Sequence, residues 1–285
     1  MKKILITGSQ GQLGNSIKKL EKNYKNTVFV FTDVAELDIT NWDELKGYIE
    51  KENFTDIINC AAYTAVDKAE NEYDLAYSIN AIGPSLLAKA AKLYACSFIH
   101  ISTDYVFDGE AHQPYTENDA THPPSAYGKT KLHGEKLLLA ENNDTIIIRT
   151  SWLYSEFGHN FLKTMIKYGK ERNELKIVFD QIGSPTYAGD LAQAILDIIH
   201  INKAKSNSNI YHFSNEGVAS WYDFAYAIML ASKIDCQIKP ILTQDYPLPA
   251  PRPFYSVLDK TKIKTDFQII IPHWKDSLIK CISEL

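Results

Sequence analysis

Apolar runs of strand length alternate with amphipathic stretches through the first half of the chain. Ile4-Leu5-Ile6, Val28-Phe29-Val30-Phe31, the run from Asp56 through Ile57-Ile58 to Ala62, Ser97 to Ile101, and Asp144 to Arg149 are nearly continuous in apolar character. That is the pattern of parallel strands buried on both faces, not of strands with one wet side. Between them, helices are expected from Asn15 to Leu20, Trp42 to Lys51, Glu72 to Leu93, and from Ala126 to Glu141. Thr40 or Asn41 is placed to cap the second, with Glu44 set for a capping box. Strand and helix in regular alternation predict an α/β fold, a doubly wound parallel sheet of Rossmann type with right-handed crossovers.

After Thr150 the pattern loosens. Helices are expected over 160–170, 190–201, 221–232 (capped by Ser220) and 272–282, with short strands at Ile177-Val178-Phe179 and Tyr211-His212-Phe213. Residues 180–186 read as a loop, 202–209 as a polar segment, and the proline-rich 246–253 as an ordered turn or extended loop. The expected organisation is a cofactor-binding domain over 1–150 and a smaller substrate domain over 151–285. The two are interleaved, because elements from about 160–215 return to the sheet.

The first turn carries the first chemistry. Thr7-Gly8-Ser9-Gln10-Gly11-Gln12-Leu13-Gly14 joins strand to helix. Gly8 permits a tight turn, Gly11 allows close approach to a pyrophosphate, and Gly14 allows the helix to pack on the strand. The helix N-terminus then offers free N–H groups to the phosphates. Asp33, ending the second strand, is either an adenosine-ribose ligand, which favours NAD, or a plain turn aspartate. Ala61 and Ala62 leave room where a dinucleotide would cross the strand ends, and Tyr63 and Thr64 follow in the loop.

Composition narrows the class. A net charge of −5 over 285 residues argues against a nucleic-acid footprint. The four cysteines are scattered without a C-x-x-C pair, as in a reduced, cytoplasmic protein. Only three apolar residues precede Thr7, so no secretory signal is expected, and no apolar run approaches membrane-spanning length. The eight histidines lack ligand spacing, so no metal is expected.

The second site begins at Tyr127 and Lys131, spaced i, i+4 so that both leave one helix face. A free phenol titrates near about 10, and an adjacent ammonium is expected to lower it toward a working range. Thr103 ends a strand beside the same place. These are the parts for reducing a ketone: a phenol to protonate the alkoxide, a hydroxyl to orient the carbonyl, and an amine to tune the phenol and hold the nicotinamide ribose. Trp152 reads equally as a core aromatic or a sugar platform. Asn160, Gln181 and Arg252 read as a diphosphate clamp or as solvated loop positions.

The glycine turn and Tyr127-x-x-x-Lys131 resemble those of extended short-chain dehydrogenases/reductases. More narrowly, the chain resembles the dTDP-4-dehydrorhamnose reductase family. The resemblance rests on Leu37-Asp38-Ile39-Thr40, the run from Asn59 to Glu70, and the run from Ser102 to Phe107. It extends to Arg149-Thr150-Ser151-Trp152, the run from Asp180 to Thr186, and Arg252-Pro253. It implies Thr103, Tyr127 and Lys131 as catalytic residues. It implies Gly11, Gln12, Leu13, Asp38, Ile39, Ala62, Tyr63 and Thr64 as contacts to NADP(H) or NAD(H). Asp104 and Trp152 are the implied contacts to a dTDP-4-dehydro-deoxysugar, in a monomer or homodimer. Some members of the family dimerise through a metal held by an acidic residue where this chain has Asn15-Ser16. Two other readings stay open: a different nucleotide 4-keto-6-deoxysugar reductase, and a non-catalytic NADP-binding regulatory subunit. A dehydratase is disfavoured, because Tyr105, not glutamate, follows Asp104.

Overall fold

The computed structural model describes residues 1–201 and 209–285. Most of the polar segment expected over 202–209 therefore lies outside the described residues. The first half runs β1 (Lys2–Thr7), α1 (Gln12–Leu20), β2 (Thr27–Phe31), α2 (Trp42–Glu52), β3 (Asp56–Asn59), α3 (Val66–Ala69), α4 (Tyr73–Tyr77), α5 (Gly83–Leu93), β4 (Ser97–Thr103), α6 (Ala126–Glu141) and β5 (Ile146–Thr150). The second half runs β6 (Leu153–Tyr154), α7 (Phe161–Glu171), β7 (Glu174–Val178), β8 (Ile182–Gly183), β9 (Thr186–Tyr187), α8 (Ala188–His200), β10 (Ile210–His212), β11 (Ala219–Ser220), α9 (Trp221–Ser232), β12 (Gln237–Ile241), α10 (Thr261–Phe267) and α11 (Trp274–Ser283).

Six strands form one sheet in the order β10-β5-β4-β3-β1-β2. Every pairing in it is parallel. The doubly wound α/β fold read from the apolar runs is the fold observed. The central strands are buried on both faces; Ile4, Leu5, Ile6, Ile57 and Ile58 have no exposure. One face packs against α1 and α8 through Ile17, Leu191 and Ile195, and the other against α2 and α5 through Leu45, Ile49 and Leu87. A separate core gathers Tyr154, Leu162, Phe224, Ile228 and Leu278 from the second half. Among the described residues no helix is long and apolar enough to cross a membrane.

Several expectations need correction. The first helix begins at Gln12, not Asn15, because the glycine turn itself supplies its N-cap, Gly11. Asn41 caps α2, but Glu44 reaches back to the Asp38 amide at 3.3 Å and closes no reciprocal box. The stretch 72–93 is not one helix. It is α4, then a π-helical turn over Ser78–Ile82, then α5. Residues 180–186 hold two short strands, β8 pairing with β11 and β9 with β6. β12, which pairs in parallel with β7, and α10 went unread.

Candidate active site

The carboxyl ends of β1, β3 and β4 bring Thr7, Asn59 and Thr103 to one edge of the sheet. There the β1–α1 turn nearly touches the β3 loop. Gly8 adopts φ +64°, and a Cβ on it would lie 2.5 Å from the Ala61 backbone, so only glycine fits. A Cβ on Gly14 would meet the backbone of Ser9 at 2.5 Å. Its role is therefore to let the turn fold onto the helix, not to bring helix onto strand. Gly11 has open space but for the Gly8 carbonyl, and it gives α1 no side-chain cap. The first-turn N–H groups of α1 are thus left to an anion.

The other expected cofactor residues surround this cradle. Asp33 accepts the Gln10 amide at 3.0 Å and the Val34 amide at 2.9 Å, so its carboxylate is fixed beside the glycine turn. Asp38 accepts both the amide and the hydroxyl of Thr40. Ile39 is buried against Gly83. Leu13 is in the core, and the side chain of Gln12 is held by Ser155 and Asn160, so these two face the cradle through backbone only. Ala61, Ala62 and Tyr63 are half-buried and Thr64 is exposed. Tyr63 is gripped at both backbone groups by Asn80, which also donates to Thr130 of α6 at 3.1 Å. Asn80 sits in the π-helical turn, where the extra residue turns its amide inward. Asn15 donates to the Gln10 and Gly11 carbonyls, closing the turn.

Tyr127 and Lys131 lie in the first turns of α6, both buried. Ser125 caps that helix, and Gly128 passes so close to the Tyr105 carbonyl that a Cβ would stand 2.2 Å from it. This presses Tyr127 toward Thr103. Burial pushes the Tyr127 phenol up to about 12, with the Thr103 hydroxyl acting the other way. Asp104 adds to the rise, and Lys131, expected to lower this phenol, is not among the groups that act on it in this structure. The amine donates to the Ile101 carbonyl at 2.7 Å and lies 3.3 Å from His100 Nε2. Burial lowers Lys131 to about 8. With its midpoint at about 12, the Tyr127 phenol holds its proton in this structure.

Thr103 donates to Asp104 Oδ1 at 3.0 Å and accepts the Tyr105 amide. Asp104 Oδ2 is buried with no hydrogen-bond partner among the described residues, and burial raises the carboxyl to about 6.

A cavity of about 690 Å³ lies alongside. Tyr105, Phe161, Tyr168, Gln181, Trp221 and Arg252 are among the residues lining it. Tyr105 packs edge-on to Tyr127, ring centroids 5.5 Å apart, and so joins cavity to phenol. Trp152 is held at φ +48° and stacks on Trp221 at 3.6 Å; of the two, Trp221 forms the cavity wall. Arg252 pairs with Asp67 at 2.7 Å, and Gln181 donates to Thr243. Asn160 is neither solvated nor free to clamp a diphosphate. Its carbonyl caps α7 and its amide donates to Gln12, Ser155 and Phe157.

No role is read from the sequence for Asn59, Asn80, His100, Glu135 or Trp221. A polar residue inside an otherwise apolar strand run was the available signal for Asn59 and His100.

A model of the RmlD substrate binding domain matches residues 1–285. The chain is 44% identical to the dTDP-4-dehydrorhamnose reductase of Aggregatibacter actinomycetemcomitans, over 98% of this chain and 97% of that one. The crystal structure of a dTDP-4-dehydrorhamnose reductase from Clostridium acetobutylicum is similar to it with a TM-score of 0.93, at 48% identity over 99% of both chains. That of the Bacillus anthracis dTDP-4-dehydrorhamnose reductase, in complex with NADP, superposes with a TM-score of 0.95 at 39% identity, covering both chains fully.

Proposed function

The chain belongs to the RmlD substrate binding domain family, and from that membership we propose that it reduces the C4 ketone of dTDP-4-dehydro-L-rhamnose to dTDP-L-rhamnose with NADPH or NADH. The observation that carries this reading is a neutral, buried Tyr127 beside Thr103, set between a glycine cradle and an aromatic cavity. The cradle fits a dinucleotide, because its backbone clearance at Gly8 and Gly11 and its uncapped helix start suit a pyrophosphate. When bound, the nicotinamide cofactor supplies the hydride.

The chain's own groups do the rest. Tyr127 Oη gives its proton to the oxygen that becomes the C4 hydroxyl. Thr103, released from Asp104, donates a hydrogen bond to the same oxygen and sets the ketone's orientation. Asp104 Oδ2 turns from an unpartnered atom into an acceptor for a sugar hydroxyl. Trp221, with Trp152 behind it, forms the apolar wall against which the nucleotide's ring lies, and Arg252 faces the diphosphate. Residues 1–150 carry the cofactor cradle, while much of the substrate cavity comes from 151–285, with α8 and β10 returning to the sheet.

The test follows NADPH and NADH absorbance with dTDP-4-dehydro-L-rhamnose generated in situ and the product identified by NMR. Wild type consumes cofactor and forms dTDP-L-rhamnose. Tyr127→Phe falls in kcat by on the order of 100- to 10,000-fold while still binding cofactor. A folded wild type that binds cofactor but reduces nothing ends this reading.

A further inference from the structure

The proline-rich run over 246–253 carries Tyr246, Leu248 and Arg252 to the wall of the cavity. Four of its residues are prolines, which have no N–H to donate, and it joins neither helix nor sheet. Its two ends are fixed. At one, Tyr246 donates to the Thr243 carbonyl, and Thr243 is itself held by the Asp180 carboxylate through its N–H and its hydroxyl. At the other, Pro253 packs so close to Gly109 that a Cβ on that glycine would stand 2.5 Å from it. Among the described residues, every hydrogen bond that ties 247–253 to the rest of the chain ends on Asp67 of α3. Asp67 Oδ1 accepts the Ala250 N–H at 3.2 Å, and Oδ2 accepts Arg252 Nη2 at 2.7 Å. Arg252 Nη1 donates back to the Ala250 carbonyl at 3.1 Å and closes the ring. A guanidinium has five N–H donors in a planar fork, so this hold leaves the others to a ligand. Asp67 follows directly on the cofactor loop that ends at Thr64. Both charges also bear on the buried Tyr105 phenol: burial raises its midpoint, Arg252 acts against the rise and Asp67 adds to it. Tyr105 packs on Tyr127, so the pair stands at the phenol end of the cavity.

We propose that Asp67 is a positioning residue, whose two-pronged hold on Ala250 and Arg252 sets the Arg252 guanidinium in place for the diphosphate of a nucleotide sugar. The proposal rests on the reductase reading, which supplies that class of substrate. An arginine on a run with so few backbone ties would have to order both the run and its own long side chain when a ligand arrives. One that is already held loses little freedom on binding. The Asp67 charge works the other way, because it repels a diphosphate. Its side chain is 38% exposed against 15% for Arg252, so water screens the anion more than the cation. Ordering therefore sets the sign, and Asp67 strengthens the binding of the diphosphate.

The experiment measures the binding of dTDP by calorimetry and of thymidine, which lacks the diphosphate, by NMR titration. Both are run at one salt concentration on wild type, Asp67→Asn, Arg252→Met and the double variant. Asparagine keeps an oxygen for the Ala250 N–H and removes the charge that grips Arg252. Asp67→Asn should weaken dTDP on the order of tenfold and leave thymidine within about twofold, which also reports an intact cavity. In the Arg252→Met background the same substitution should change neither ligand, because the arginine through which Asp67 acts is gone. Unchanged or tighter dTDP binding in Asp67→Asn overturns the proposal. So does an equal loss for thymidine, or an equal loss of dTDP in the Arg252→Met background. A wild type that binds dTDP and follows this pattern but reduces nothing counts against the reductase reading alone, whereas one that binds no dTDP ends both.

Discussion

At the scale of single residues, two carboxylates make opposed predictions. Asp104 has a folded-state midpoint raised by burial, so the folded protein binds that proton more tightly than the unfolded chain. Its contribution to stability is complete below about pH 4, the ordinary carboxyl range, and is lost as pH rises through about 6. Asp104→Asn should flatten this fall and unfold at higher denaturant than wild type at pH 7–8, while losing activity. Equal pH dependence in the two proteins would refute the assignment. Asp33 acts on selectivity. Fixed to the Gln10 amide, with the Glu36 carboxylate bonded to its own N–H, it would set negative charge against an adenosine 2′-phosphate if it is the ribose ligand. Asp33→Asn should raise the NADPH-to-NADH ratio of kcat/KM on the order of tenfold, about 1.4 kcal/mol. An unchanged ratio returns Asp33 to being a turn residue. The candidate catalytic residues are legible as types at a spacing. Their protonation is not, because burial by Tyr105 and the sheet edge decides it, and neither is local to Tyr127 in sequence.

At the scale of elements, α6 and β5 are joined by a buried network. Arg149 donates twice to Glu135, at 2.9 and 2.7 Å, and Ser102 on β4 donates to the same carboxylate at 2.5 Å. Both ions are almost unexposed. Removing one partner strands the other's charge, so Glu135→Ala should cost about 3–5 kcal/mol, measured by urea unfolding, whereas an exposed pair such as Lys239–Glu174 costs under about 1 kcal/mol. A loss below about 1 kcal/mol for Glu135→Ala would show that water enters there. Helices and central strands were readable because their apolar periods are long. The π-helical turn was not, because one extra residue in a helix leaves the hydrophobic period nearly intact. β8, β9 and β11 span two residues each and have no period to read.

At the scale of the whole molecule, the glycine cradle and the aromatic cavity are built from distant parts of the chain, yet they meet at one side chain. Gln12 stands in the first turn of α1, and its amide is held by Leu153, Ser155 and Asn160, the last of which caps α7. Phe161, Thr164, Met165 and Tyr168 of that helix line the cavity. A ligand at one place is therefore expected to change the affinity for a ligand at the other. Whatever factor a bound dinucleotide applies to the affinity for dTDP, dTDP must apply in return. Calorimetric titrations of each in the presence of the other should give the same factor, and Gln12→Ala should bring it toward one without moving Tyr127. If the factor survives in that variant, the coupling runs elsewhere. In kinetic language, coupling through the Gln12 amide imposes no order of loading: whichever ligand arrives first prepares the ground for the second.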